Sequence, residues 1–165
     1  MNLGDISALV NYQFVQQLDA SHNNLKSLYG TPNLVHINAS HNKLTDFLVF
    51  LHHRSEKQQQ NSLQQQEKDQ EEEPCESLLI ADYSHNQIEK LNADLVMRFS
   101  NLCVVNLSHN HLYTVQALGE LVNLIELDIS DNQIITLEGL RSLKLLRILK
   151  AVSCFFFWKK YYFLF

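Results

Sequence analysis

Glycine is scarce in this chain, with only Gly4, Gly30, Gly119 and Gly139 among 165 residues. None stands in a GxxxxGK or GxGxxG arrangement, so no loop is built to cradle a phosphate, and a nucleotide site is excluded. Cysteine is equally thin. Cys75, Cys103 and Cys154 are odd in number and unclustered, which argues against a disulfide framework and for a reducing, cytoplasmic compartment. Basic residues number 13 against 18 acidic, for a net charge of -5 and a pI near 5.9. The basic stripe that nucleic acid calls for is missing. The opening MNLGDISALVNYQF has no basic segment followed by a long apolar run, so no secretory leader is read there. The apolar ending, Ala151 to Phe165, is fifteen residues with two lysines, too short and too charged to span a bilayer.

What the chain has in abundance is one pattern. Leu102 to Leu112 reads LCVVNLSHNHL and Leu124 to Ile134 reads LIELDISDNQI, apolar at the first, fourth, sixth and eleventh places with Asn at the ninth. The same skeleton stands at Val15 to Leu25 (VQQLDASHNNL), at Leu34 to Leu44 (LVHINASHNKL) and at Leu78 to Ile88 (LLIADYSHNQI). It returns at Leu146 to Phe156 with Cys154 in the ninth place. Such self-similarity marks stacked supersecondary units. Alternation at the fourth and sixth places predicts a short strand with one face inward. One such strand has nothing to bury that face against, so successive copies must stack into a parallel sheet over a shared core. The ninth-place column, Asn23, Asn42, Asn86, Asn110 and Asn132, falls where the chain turns away from the sheet. An amide there both donates and accepts, and satisfies backbone groups of adjacent coils that water cannot reach. These asparagines are read as a structural ladder, in which Cys154 is a weaker donor.

The pattern resembles the LxxLxLxxN/CxL signature of the leucine-rich repeat family, over nearly the whole chain outside one insert and the tail. The resemblance implies an α/β repeat solenoid, with short parallel strands on the concave face and short helical or 3-10 turns on the convex face. The convex rhythm is carried by Leu112, Val115, Leu118 and Leu121, then by Ile134, Leu137, Leu140 and Leu143. Counting back 22 residues from Asn23 puts Leu3, Ile6, Leu9 and Tyr12 on the same places, so residues 2–12 are expected to be the convex half of a repeat whose strand is missing. The edge beside Gln17 to Asp19 is then a pairing hazard unless a cap or partner shields it.

Successive repeat asparagines lie 19, 44, 24 and 22 residues apart. The outlier is twice the ordinary spacing, and an insert explains it. Leu44, Phe47 and Phe50 keep the convex rhythm and Leu78 resumes the next strand, but from Glu56 to Glu73 the only apolar residue is Leu63. A run of that composition supplies no core face, and a flexible loop is preferred over a charged helix or a docking tail. From Asn86 to Asn110, Ile88, Leu91, Leu95 and Phe99 have a spacing closer to a helical turn. One repeat domain is therefore expected over residues 1–154, of about six repeats with the first incomplete, a Gln/Glu-rich insert at 52–77 and an aromatic tail at 155–165. The tail holds eight aromatic residues in eleven. It reads as a flap over the open end, an interfacial anchor or sequence foreign to the fold, and the last is favoured because unpatterned exposed aromatics harm solubility.

Two columns mimic chemistry. His22, His41, His85 and His109 hold the eighth place, with Asp131 in the next copy, and stacking should bring them to about 5 Å spacing. Metal sites need three or four converging ligands with support behind them, so these are read as solvated loop histidines. The preceding serines, Ser21, Ser40, Ser84, Ser108 and Ser130, are copied five times, whereas a nucleophile needs one activated geometry. No catalytic residue, metal, cofactor or small-molecule substrate is expected.

A binding surface remains. On a solenoid of this kind the third and fifth places face the concave side. The fifth-place column is Asp19, Asn38, Asp82, Asn106, Asp128 and Lys150, polar and mildly acidic; the third-place column is Gln17, His36, Ile80, Val104, Glu126 and Ile148. An apolar centre at Ile80 and Val104 with polar flanks has the composition of an interaction core and rim, so residues Gln17 through Asp128 of these columns are the expected contacts of a protein partner. The repeats of roughly 22 residues are similar to the intracellular class typified by the regulatory subunit of protein phosphatase 1. Within it, DISALVNYQFVQQLDASHNNLKSL, NLVHINASHNKLTDFLVF and ADYSHNQI look most like the repeat region of leucine-rich repeat and guanylate kinase domain-containing proteins. That likeness implies a non-catalytic scaffold in a ciliary or flagellar assembly. The alternative it implies is a phosphatase-targeting subunit, with Asp82, Glu126 and Asp128 as first contacts.

Overall fold

The computed structural model describes residues 3–28, 33–47 and 77–154. The expected insert, apart from Ser77, and the aromatic tail at 155–165 lie outside the described residues, as do Phe50 and Cys75.

The third to fifth places of every copy are extended. They form β1 (Gln17–Asp19), β2 (His36–Asn38), β3 (Ile80–Asp82), β4 (Val104–Asn106), β5 (Glu126–Asp128) and β6 (Ile148–Lys150). The strands pair in chain order, each parallel to the next, in one six-stranded sheet. Register never slips: Gln17 stands opposite His36, His36 opposite Ile80, Ile80 opposite Val104, Val104 opposite Glu126 and Glu126 opposite Ile148. A column in the sequence is therefore a column in space, even between β2 and β3, which the longest connection separates.

The apolar skeleton explains this. Fourth-place Ile37, Ala81, Val105 and Leu127 point inward and are fully buried, as are first-place Leu34, Leu78, Leu102 and Leu124 and eleventh-place Leu25, Leu44, Ile88, Leu112 and Ile134. Burying each larger aliphatic side chain contributes about 1.5–3 kcal/mol, and it happens only when coils lie on both sides. The end strands show the converse: Leu18 of β1 is only partly buried, and Leu149 of β6 is 41% exposed. In the sixth place, Tyr83 is fully buried in the core and meets Phe47 edge to face at 4.9 Å.

The convex side is made of short turns. Among the described residues there is one α-helix, α1 (Ala93–Met97), started by Asn92, whose side chain accepts the Asp94 N–H at 2.9 Å; 3-10 turns span Ser7–Asn11, Gln116–Glu120 and Glu138–Leu140. The helical rhythm expected from Ile88 to Phe99 is corrected in one respect. Because the helix begins only at Ala93, the phase of Ile88 and Leu91 does not carry into it, and Val96, not Leu95, is its buried residue. Neighbouring turns approach very closely at Gly119 and Gly139. A Cβ on Gly139 would stand 2.6 Å from the Gln116 Cα, and one on Gly119 would collide with the Gly139 carbonyl oxygen.

Candidate partner-binding face and its rim

On the outward face of the sheet the third-place column places Ile80 beside Val104, with Glu126 and Ile148 beyond them and His36 and Gln17 before. Ile80 is 37% exposed and Ile148 45%, while Val104, His36 and Glu126 are half-buried. Apolar side chains thus meet solvent at the middle of the sheet.

The fifth-place column has a second task. Asp19, Asn38, Asp82, Asn106 and Asp128 each accept, through Oδ1, the backbone N–H two residues on, at 2.9–3.2 Å. Ser40 and Ser84 also donate their hydroxyls to Asn38 and Asp82 at 2.7 Å. This is the Asx turn, in which a short polar side chain imitates a backbone turn. Hydrogen bonds from Ser21 hold the Asp19 carboxyl below the ordinary aspartate value. Asp82 further accepts from the Asn106 amide at 3.2 Å. Lys150 reaches Glu126 at 3.1 Å and Asp128 at 3.8 Å, and the hydrogen bond to Glu126 raises its pKa. The expected contact residues are brought together on one face, but their carboxylates are partly committed to it.

At the eighth place the backbone turns left-handed. His22, His41, His85 and His109 have φ of 54–55°, Asp131 has 53° and Ser153 has 56°. Asp and His are among the few non-glycine residues that tolerate this region. The four imidazoles stack, with ring centroids 4.1, 4.0 and 4.0 Å apart and planes within 11–14° of parallel. Asp131 closes one end, its Oδ2 lying 3.4 Å from His109 Nε2. These are not independently solvated histidines: exposed at their edges, they are in contact with one another, closer than strand spacing alone would set. Parallel rings direct their nitrogen lone pairs side by side instead of converging them, and no cluster of three or more potential ligands suited to a metal occurs among the described residues. Burial, then the neighbouring His109 and His41, lower the pKa of His85.

Directly after each histidine comes the ladder. Asn42, Asn86, Asn110 and Asn132 are buried. Each donates Nδ2 to the sixth-place carbonyl of the preceding coil: Asn42 to Ala20, Asn86 to Ala39, Asn110 to Tyr83 and Asn132 to Leu107, at 2.9–3.0 Å. Each accepts, through Oδ1, the eleventh-place N–H of that coil, from Leu25, Leu44, Ile88 and Leu112. Asn23 accepts the Leu3 N–H at 2.9 Å in the same way. Cys154 keeps one bond of the set, Sγ to the Ile129 carbonyl at 3.3 Å.

The profile of the family described as Leucine Rich Repeat matches residues 123–149. Among solved structures, the functional domain of InlJ from Listeria monocytogenes superposes with a TM-score of 0.65 at 18% identity, over 90% of this chain and 27% of that one. The fold is a leucine-rich repeat solenoid. The same likeness holds for the TLR13–ssRNA13 complex, with a TM-score of 0.64 at 19% identity over 87% of this chain and 20% of that one. It holds also for the Toll–Spatzle complex of Drosophila, at 0.64 and 19% over 90% and 19%. Identities this low carry the fold alone, and the chain spans between 19% and 27% of the length of these three relatives. No curated protein matches the chain in sequence. No helix of the described residues is long and apolar enough to cross a membrane.

Two features of this leucine-rich repeat face had a signal in the sequence that was missed. The fifth and seventh places read Asp-x-Ser or Asn-x-Ser in five successive copies, which is the spacing of an Asx turn. The eighth place holds only His, Asp and Ser, which marks a position where a branched or bulky side chain would be strained.

Proposed function

We propose that this leucine-rich repeat chain is a non-catalytic scaffold that binds a partner protein across the third- and fifth-place columns of its concave face. The observation that carries the reading is the pair Ile80 and Val104, apolar side chains opposite one another on β3 and β4 at the centre of the sheet, flanked by His36 and Glu126. Desolvated apolar anchors ringed by polar groups are where interfaces concentrate their energy. The Toll–Spatzle complex joins this fold to another protein, and the TLR13–ssRNA13 complex joins it to RNA. Four carboxylates in the two columns against the single ammonium of Lys150 favour a protein over a polyanion here. The setting we propose is a ciliary or flagellar assembly, with phosphatase targeting as the alternative; both rest on the sequence resemblance alone.

The test is a pull-down from ciliated-cell extract with the full chain and with Ile80→Glu combined with Val104→Glu. Both positions meet solvent, so the thermal unfolding curve should not move by more than a few degrees, while the partners recovered by the parent chain should be lost. Retention of the same partners by the variant would exclude this face. Recovery of a phosphatase catalytic subunit would select the alternative.

A further inference from the structure

The stacked histidines form the rim of the concave face, three places along from the aspartate column. The two columns sense each other. His22 and His36 act on Asp19 through space, and Asp82 and Asp131 act on His85. The rungs also face one another, and His111 lines the recess that holds His109, Asp131 and Ser153. The charges of this surface are therefore countable. With Asp131, five carboxylates stand against one ammonium, Lys150, while the four rim histidines, His36 and His111 can add six positive charges. Protonating them reverses the sign of the face.

The stack decides when that happens. Neutral imidazoles lie flat on one another, but two imidazolium rings 4.0 Å apart repel even in water. A charge on one ring thus opposes a charge on the ring stacked against it. His85 follows this rule, its pKa lowered by burial and by the rungs on either side. Its folded value is depressed, so the stability it contributes is present above the unfolded value of about 6.5 and lost as pH falls through the folded value. The ordered stack belongs to neutral and alkaline solution.

We propose, resting on the reading that the concave face binds a protein, that the partner presents basic side chains to the aspartate column and that the histidine rim makes this contact proton-dependent: formed above about pH 7, released below about pH 6. The partner segment fitted by the columns is amphipathic, with apolar residues over Ile80 and Val104 and lysine or arginine toward Asp19 and Asp82.

The experiment uses the full chain and a fluorescent amphipathic peptide of leucine and lysine, titrated at about pH 7.5 and about pH 5.5 on either side of the histidine range. Binding by the parent chain should weaken at least tenfold at the lower pH. The variant with His22, His41, His85 and His109 each changed to Asn, which tolerates the left-handed backbone, should change by no more than about threefold, the remainder belonging to His36 and His111. Asp19→Asn with Asp82→Asn should lose most of the binding at the higher pH. Equal binding by the parent chain at both pH values, or full pH dependence retained in the four-Asn variant, overturns the proposal. Absence of binding at both values, or binding untouched by Ile80→Glu with Val104→Glu, instead overturns the concave-face reading on which it rests. If the four-Asn variant does not fold, the imidazole Cε1–H resonances of the parent chain decide: His85 titrating at the ordinary histidine value would overturn the stacked-rim mechanism.

Discussion

Asn86 joins coils on either side of the longest connection in the chain, and replacing it with Ala measures what the ladder contributes. Its Nδ2 donates to Ala39 across the coil boundary and to Tyr83 and Ser84 within its own turn, and its Oδ1 accepts from Leu44 across the boundary. Truncation leaves the Leu44 N–H without its partner, in a residue that is 2% exposed, while the Ala39 carbonyl keeps the Asn42 amide at 3.1 Å. A buried polar group stripped of its partner costs about 1–3 kcal/mol. The one group stripped here gives roughly 1–3 kcal/mol, and water entering the vacated space will bring the value toward the lower half of that range. Against a total stability on the order of 5–15 kcal/mol this is a large fraction. The consequence is visible in the shape of the transition as well as its midpoint. Solenoid stability is a sum of coil and interface contributions between neighbours, so weakening the interface between β2 and β3 should let the two parts of the sheet unfold separately. Urea unfolding followed by circular dichroism should show a lower midpoint and a broadened or divided transition. Gln87→Ala, at an exposed position next door, should stay within about 0.5 kcal/mol. If Asn86→Ala also stays within about 0.5 kcal/mol and unfolds in one sharp step, the ladder is ornament and the coils are held by apolar packing alone.

The remaining predictions probe packing and protons. Gly139→Ala should destabilise by about 1–3 kcal/mol through overpacking against the Gln116 backbone. Its φ is not positive, so without that close approach the same change would stabilise through the unfolded chain; a rise in the thermal midpoint would refute the contact. Leu127→Ala should cost about 2–5 kcal/mol as a cavity in the core, and Leu149→Ala, the same change one coil later at 41% exposure, should cost less than half as much by urea unfolding. Stability of the parent chain should decline as pH falls below about 6.5 through the depressed folded value of His85; His85→Asn should flatten that decline, and an unaltered slope would deny His85 any share in it.

The strand register was legible because it depends on what repeats. Residues such as Ile37, Ala81, Val105 and Leu127 recur at one place of the pattern, and stacking identical places needs no knowledge beyond the pattern itself. What escaped are properties of pairs in different coils or of a short stretch's phase. Leu95 and Val96 are both apolar, and only the start of the helix at Ala93 decides which of them is buried. Gly119 and Gly139 look like two ordinary turn glycines until their coils are laid together. The fifth-place acids read as free surface charge, yet their Oδ1 atoms are occupied by the turn that follows them.

The eighth place separates what the backbone requires from what the side chain adds. Asp131 and Ser153 hold the same left-handed turn as the four histidines, with φ of 53° and 56° against 54–55°, so the turn does not need an imidazole. Copying of a repeat accounts for a histidine appearing more than once, but copying alone would equally preserve an asparagine or an aspartate there. Choosing a ring at four successive rungs adds contact between flat faces at 4.0–4.1 Å and a charge that is settled by the surrounding pH, neither of which asparagine supplies. Substituting Asn for His at these positions therefore keeps the backbone conformation and deletes only the ring and its proton. Any loss it causes in acid response, with the sheet and the ladder intact, is attributable to the imidazole column and not to the fold that carries it.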